Sequence, residues 1–175
     1  MTVLSNQFPS SLGYEVTGRV KTRKSLLEKM GRKTKYKDVS QIGDTSAMRV
    51  ICQDVGQQAS VMEFVAANFK IDKVDNYVKN PLDGYRAMQV DIINPDGTKS
   101  EIQIKTKHQH EWSHYVHNTF YKPPRELQGW VTQNRLTIQT YNNDMSEYYY
   151  KLDRGIPAKH PECPEVIANK IGCMP

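Results

Sequence analysis

Apolar and polar residues follow two periods along this chain. Residues 14–21, YEVTGRVK, alternate with a period of two, which predicts a strand. Residues 22–30, TRKSLLEKM, put Leu26, Leu27 and Met30 on one helical side, opposite Lys21, Ser25 and Lys29, and Gly31 marks the stop. AMRVIC (47–52) predicts a second strand, and residues 57–69 a helix that buries Val61, Phe64 and Val65. KVDNYV (73–78) reads as a strand, NPLDG as a turn and YRAMQVDII (85–93) as another strand. NPDGTK then makes a hairpin turn into the returning strand SEIQIKT (100–106). A helix over 107–121 follows, and Pro123-Pro124 stops it. WVTQNRLTIQTY (130–141) suggests one more strand. The tail beyond Gly155 reads as irregular, and residues 1–13 as a loose polar lead-in. Strands and helices in this order predict an α/β (α+β) domain with a mixed β-sheet flanked by helices.

Composition bounds the picture. The chain has 175 residues, 38% of them hydrophobic, which is enough for one domain (1–175) with a buried core and excludes a disordered chain. The net charge of +5 points to a polyanionic partner: nucleotide, nucleic acid or membrane surface. A merely basic surface is the plain alternative. No apolar run approaches a membrane span, and the N-terminus lacks the apolar core of a signal peptide. The expected site of action is therefore cytoplasmic and away from membranes, with delivery by another route invisible in the residues. Among the three cysteines, Cys52 reads as a core thiol. Cys163 and Cys173 could pair, but a reduced cytosolic chain is the simpler expectation.

Residues 101–117, EIQIKTKHQHEWSHYVH, hold two rival sources of chemistry. His110-Glu111-Trp112-Ser113-His114 fits the H-E-x-x-H pattern of zinc hydrolases, in which two histidines one turn apart hold the metal and the glutamate is the base. His117 continues the same helix, whereas a third ligand normally comes from a separate element; Glu126 and Glu147 carry no mark of that role. The plain alternative makes these histidines polar residues on a helix face. The preceding strand offers more. Ile102 and Ile104 alternate with Glu101, Gln103 and Lys105, so the polar three share one face. Tyr85, Ala87 and Gln89 share a face of the neighbouring strand, and Arg19 and Lys21 one of the first. If these faces coincide, Asp44 and Glu101 lie amid Arg19, Lys21, Lys29 and Lys105. Paired carboxylates among cations suit Mg²⁺-dependent phosphoryl chemistry, the acids holding the metal and the cations neutralising phosphate oxygens. A solvated face of mixed charge is the plain alternative. No glycine-rich phosphate cradle is present, so side chains must hold any phosphates.

Five segments in order resemble motifs of the RelA/SpoT-type (p)ppGpp synthetase family. GRVKTRKSLLEKM resembles its R-x-K-x-x-x-S-x-x-x-K segment, giving Arg19, Lys21, Ser25 and Lys29. GDTSAMRVIC resembles the D-I-x-G-x-R-[IV] strand, giving Asp44 and Arg49. YVKNPLDGYRAMQ is similar to Y-I-x-x-P-x-x-N-G-Y-R-S-L-H, and EIQIKT to E-[IV]-Q-[IL]-R-T. Trp112, His117, Tyr121 and Lys122 fit the small synthetases' W-x-x-x-x-H-x-x-x-Y-K pattern. Together they fall within a motif-bearing core, 14–122, followed by an extension, 123–175.

The resemblance implies a nucleotidyltransferase-like fold and a pyrophosphokinase. ATP would donate its β,γ-pyrophosphate to the 3′-hydroxyl of a purine nucleotide, releasing AMP. Asp44 and Glu101 would hold Mg²⁺, and Glu101 would accept the hydroxyl proton. Arg19, Lys21, Ser25, Lys29 and Arg49 would bind ATP. Tyr85 would stack on the acceptor base, while Asp83, Lys79, Gln89, Gln103, Lys105 and His117 would line the acceptor. The chain departs from the pattern at three of these positions: Asp83 stands for Asn in a loop one residue shorter, Gln89 for His, and Lys105 for Arg. An ionised Asp only accepts hydrogen bonds. GDP/GTP and ADP/ATP acceptors therefore both stand open, giving (p)ppGpp- or (p)ppApp-type products. Some relatives are toxin domains, which would bring an immunity or antitoxin protein as partner. A tRNA 3′-end acceptor, a non-catalytic basic nucleic-acid-binding module and a zinc hydrolase using HEWSH are the alternative functions.

Overall fold

A computed structural model describes residues 2–32 and 45–174. Asp44 lies outside the described residues, as does the side chain of Lys29. The chain forms two compact units, one made of residues 1–76 and 87–106, the other of 77–86 and 107–175.

The first unit is a five-stranded sheet. Its strands are β1 (Glu15–Val20), β2 (Ser46–Cys52), β3 (Lys70–Asn76), β4 (Met88–Ile93) and β5 (Lys99–Thr106), in the order β1-β2-β5-β4-β3. β2 and β5 run parallel and the other neighbouring pairs antiparallel, so the sheet is mixed, as the element order predicts. β4 and β5 are the expected hairpin, closed by Asn94 N–H donating to the Thr98 carbonyl at 2.8 Å. Helix α1 (Thr2–Gln7) precedes the sheet, α2 (Arg23–Arg32) follows β1, and α3 (Val55–Asn68) lies between β2 and β3. The Asp54 carboxylate caps α3 by accepting from Gln57 N–H at 2.8 Å.

One sheet face is the core. Val50, Cys52, Val90, Ile102 and Ile104 pack with Val61 and Val65 of α3, all fully buried. Each fully buried apolar side chain of this size stabilises the fold by about 1.5–3 kcal/mol. Burial pushes the Cys52 thiol up to about 12, which leaves it an inert core residue, as its sequence context predicts. Residues 1–13 are not a loose lead-in. Leu4 and Phe8 are buried in this core, and their i, i+4 spacing is the helical pair that the polar surroundings disguise.

The second unit is mainly helical. Helix α4 (Lys107–Val116) runs into a π turn (His117–Tyr121), followed by α5 (Gln128–Gln133), α6 (Arg135–Leu152) and α7 (Glu165–Ile171). The strand expected over 130–141 is instead the end of α5 and the start of α6. Ile138, Tyr141, Met145 and Tyr149 recur every three or four residues and are buried, a helical period that outlasts the short alternation read as strand. Trp112 of α4 joins them, edge-on to Tyr141 at 5.9 Å, so this motif tryptophan is a core residue. The tail is ordered rather than irregular. Ile167 of α7 is fully buried, and a disulfide joins Cys163 to Cys173 across Cα atoms 6.3 Å apart, within the span such bonds require. The reduced state expected from sequence gives way to this pairing. No helix among the described residues is long and apolar enough to cross a membrane.

Candidate functional site

The polar face of the sheet gathers Arg19, Arg49, Gln89, Glu101, Gln103 and Lys105 from among the sequence-predicted residues of the first unit. Registers across three strand pairs align Thr17, Arg49, Gln103 and Gln89 in one row, and Arg19, Ala47, Glu101 and Asp91 in the next. Lys105 stands beside Ile51 in a third row on the same face. The alternation that buries Ile102 and Ile104 thus presents Glu101, Gln103 and Lys105 together, as expected.

Thr17, Arg19, Ala47, Arg49 and Gln103 line a pocket of about 80 Å³ in this face. Ala47, 7% exposed, is the small residue between Arg19 and Glu101 that leaves its floor open. The Arg49 Nε is buried and has no hydrogen-bond partner among the described residues. A buried guanidinium donor left unmatched costs free energy that an incoming anion would recover. The Glu101 carboxylate accepts from Gln103 Nε2 at 2.6 Å, which fixes its orientation. Lys105 is 3% exposed; burial pushes its ammonium down to about 7, Arg49 pushes the same way, and Glu101 opposes both.

Asp91 was not anticipated. It pairs directly with Glu101, and burial pushes its carboxyl up while Lys73 and Lys99 pull it down. Its position two residues after Gln89 was the available signal. Lys21 falls just past the end of β1, with its N–H donating to the Thr45 carbonyl at 2.9 Å. Ser25 is in the first turn of α2, where its N–H is capped by the Thr22 hydroxyl at 3.3 Å.

Tyr85 does not share a sheet face with Gln89, because β4 begins only at Met88. Tyr85 instead closes a tight turn of the second unit. Leu82 and Tyr85 exchange backbone hydrogen bonds, and Asp83 (φ 49°) and Gly84 (φ 79°) occupy the corner in left-handed conformation. Two central residues of positive φ make the turn that Asp-Gly favours. Asp83 Oδ1 accepts from Gln139 Nε2 of α6 at 2.8 Å. The Tyr85 ring meets Tyr77 edge to face at 5.7 Å. Lys79 is exposed in the same loop, and His117 is exposed at the start of the π turn, its ring 5.5 Å from that of Tyr121.

The histidines of HEWSH give little for a metal. His110 and His114 rings are 6.2 Å apart, and His114 Nε2 is matched by the Asn118 amide at 3.0 Å. No cluster of three or more His, Cys, Asp or Glu able to hold a metal occurs among the described residues. Arg86 was also missed. It falls on the alternation step of core-facing Met88 and Val90, an odd place for a charge, and it is 7% exposed.

Comparison with known proteins shows the family. The model of the region found in RelA / SpoT proteins matches residues 18–126, more than half of the chain. The chain is 32% identical over 118 residues to the GTP pyrophosphokinase YjbM of Bacillus subtilis, covering 61% of this chain and 56% of that protein. It is 31% identical over 107 residues to a GTP pyrophosphokinase of Photobacterium angustum, covering 59% of this chain but 14% of that much longer protein. Small alarmone synthetase 1 from Bacillus subtilis, solved bound to its product pppGpp, superposes with a TM-score of 0.65 at 26% identity, covering 80% of this chain and 74% of that one. Matched over most of its strand-bearing half and sharing the fold of that synthetase, this chain belongs to the RelA / SpoT family.

Proposed function

We propose that the protein is an ATP-dependent nucleotide 3′-pyrophosphokinase. The observation that carries this reading is the cross-strand arrangement of Arg19, Arg49 and Gln103 around one pocket, with Glu101 in the register row of Arg19 and Ala47 beside it. Arg19 and the unmatched Arg49 donor take the triphosphate of ATP, helped by Lys21, Ser25 and Lys29. The acceptor's 3′-oxygen attacks the β-phosphorus as Glu101 takes its proton. The bond from that phosphorus to the α,β-bridging oxygen breaks, and AMP leaves with that oxygen.

Mg²⁺ suits the donor set. It prefers one or two carboxylates together with phosphate oxygens, and Glu101, with Asp44, would supply them. When bound, it would neutralise charge on the transferring group. On this reading Tyr85 stacks on the acceptor base, and Lys79, Gln89, Lys105 and His117 serve its ribose and phosphates. Guanine and adenine acceptors are both compatible with these groups.

The test is direct. The protein is incubated with γ-labelled ATP, Mg²⁺ and, in turn, GDP, GTP, ADP, ATP and tRNA, and the products are resolved. AMP release matched by a labelled mononucleotide supports the reading and names its acceptor. Label on tRNA alone would move the activity to a tRNA end. Salt-sensitive nucleic-acid binding without turnover would replace the enzyme with a binding module.

A further inference from the structure

We propose that Arg86 is a positioning residue for acceptor recognition, clamping the loop of residues 77–86 onto α6; this rests on the reading of Tyr85 as the base-stacking residue. The Arg86 guanidinium engages three groups and one ring. Its Nε donates to Ser146 Oγ at 2.8 Å, one terminal nitrogen donates to the Val78 carbonyl, and the other to Glu147 Oε2 at 2.8 Å. The guanidinium carbon sits 4.2 Å from the centroid of the Tyr150 ring.

These contacts close the loop on itself. Val78 is next to Tyr77 and Arg86 is next to Tyr85, so a single planar group fixes both flanks of the Tyr77–Tyr85 pair. A second set of contacts seats the tip. Asp83 bonds to Gln139, and a Cβ on Gly84 would lie 2.6 Å from the Asn142 carbonyl oxygen, so the turn backbone rests on α6. Gln139, Asn142, Ser146 and Tyr150 recur at intervals of three and four residues, one continuous stripe of that helix. α6 is thus a template along which the loop is laid.

The choice of an arginine separates positioning from mere packing. A cation buried to 7% exposure is a poor source of stability compared with an apolar side chain of similar volume. Burial pushes its pKa down, and Glu147 opposes that. What a rigid fork supplies, and an apolar group does not, is direction. The three bond vectors set the path from Val78 to Arg86, and with it the plane of the Tyr85 ring.

The experiment uses the full chain with Arg86→Lys, Glu147→Gln and Ser146→Ala. Glu147 is half exposed, so its variant folds even if the Arg86 variant does not. Two readouts are taken: steady-state kinetics for ATP and for the acceptor separately, and amide exchange of residues 78–86 in the free protein. Arg86→Lys is expected to raise the acceptor KM at least tenfold, Glu147→Gln about threefold, with the ATP KM within twofold and kcat within threefold. Exchange in 78–86 should quicken in the same order, and Ser146→Thr, which keeps the hydroxyl, should restore the parent's behaviour where Ser146→Ala does not. An unchanged acceptor KM, or equal changes in both KM values, would overturn the proposal while leaving the enzyme reading intact. Absence of turnover in the parent protein with every acceptor would overturn the enzyme reading, and this role with it.

Discussion

Replacing Lys105 with methionine should make the protein's stability less dependent on pH, in a way the structure fixes in sign. Methionine is of similar length and carries no charge. The Lys105 ammonium is pushed from 10.5 to about 7, chiefly by burial, and at 1.36 kcal/mol per pH unit that gap is worth about 5 kcal/mol in favour of the neutral amine. Below pH 7 the amine is charged in both the folded and the unfolded chain, so the folded state carries the whole cost. Between pH 7 and 10.5 the unfolded chain binds one proton more, so stability rises with pH by about 1.4 kcal/mol per pH unit. That gain is complete above the unfolded value and is lost as pH falls to the folded one. The assay is urea unfolding of parent and variant, without nucleotide, at several values between pH 6 and 9.5. The stability difference, variant minus parent, should be largest at pH 6 and shrink by about 2–3 kcal/mol between pH 7.5 and 9.5. Titrations of groups not coupled to Lys105 cancel in that difference. A difference independent of pH would show that Lys105 titrates normally and that the polar face is better solvated than its 3% exposure implies. A bound acceptor phosphate should draw a proton onto this amine, so calorimetry in two buffers should register proton uptake on acceptor-nucleotide binding above pH 7.

Three further outcomes follow from the structure. Glu101→Gln is expected to lower AMP release at least 100-fold with the melting temperature nearly unchanged, because the amide keeps the shape but cannot take a proton; normal turnover would remove Glu101 from the chemistry. Gly84→Ala should cost about 2–4 kcal/mol, combining left-handed strain with overlap against the Asn142 carbonyl, and an unshifted thermal melt would show that the turn does not rest on α6. Alkylation under non-reducing conditions should leave Cys163 and Cys173 unlabelled, and reduction or Cys163→Ser should cost about 3 kcal/mol for a closed loop of this length; two labelled thiols in the oxidised protein would refute the pairing.

The sheet was legible in the sequence because its two faces differ so sharply. Ile102 and Ile104 against Glu101, Gln103 and Lys105 is an alternation that only a half-buried strand explains, and the register of β2, β4 and β5 places their polar steps side by side. The second unit was harder to read. Its buried cluster mixes Tyr141, Tyr149, Trp112 and Met145 with Phe120, Ile138 and Ile167 among amides and charges, so the start of α6 passed for a strand over a short window. α1 and α7 were missed for a related reason. Each buries only one or two side chains, Leu4 with the adjacent Phe8 in the first unit and Ile167 in the second, and so short an apolar signal vanishes in polar surroundings. The distant partners of Arg86 and Asp153 had no local signal. Arg86 meets residues sixty positions away, and Asp153 accepts from Gln109 and pairs with His108 across more than forty.

Asp83 shows how a substitution visible in sequence changes meaning once its backbone is known. Against the family pattern it replaces an amide with an acid, which bears on base recognition if the side chain faces a base. The turn offers a different reason for the residue. Position 83 requires a positive φ, and Asn and Asp are the residues with side chains that tolerate it best, so the exchange preserves the backbone whichever is present. The Oδ1 of Asp83 is engaged by Gln139, an interaction an Asn carbonyl would make equally well. The fold itself therefore accounts for two properties of this corner residue, its conformation and one acceptor atom. The charge and the second carboxylate oxygen, an acceptor where Asn would carry an NH₂ donor, are what distinguish Asp83 toward a ligand, and the charge at an exposed turn is screened within about 10 Å at ordinary salt. If the proposed stacking on Tyr85 holds, discrimination between guanine and adenine by Asp83 would rest on that second oxygen, in a loop whose Tyr77–Tyr85 pair is fixed by the Arg86 contacts.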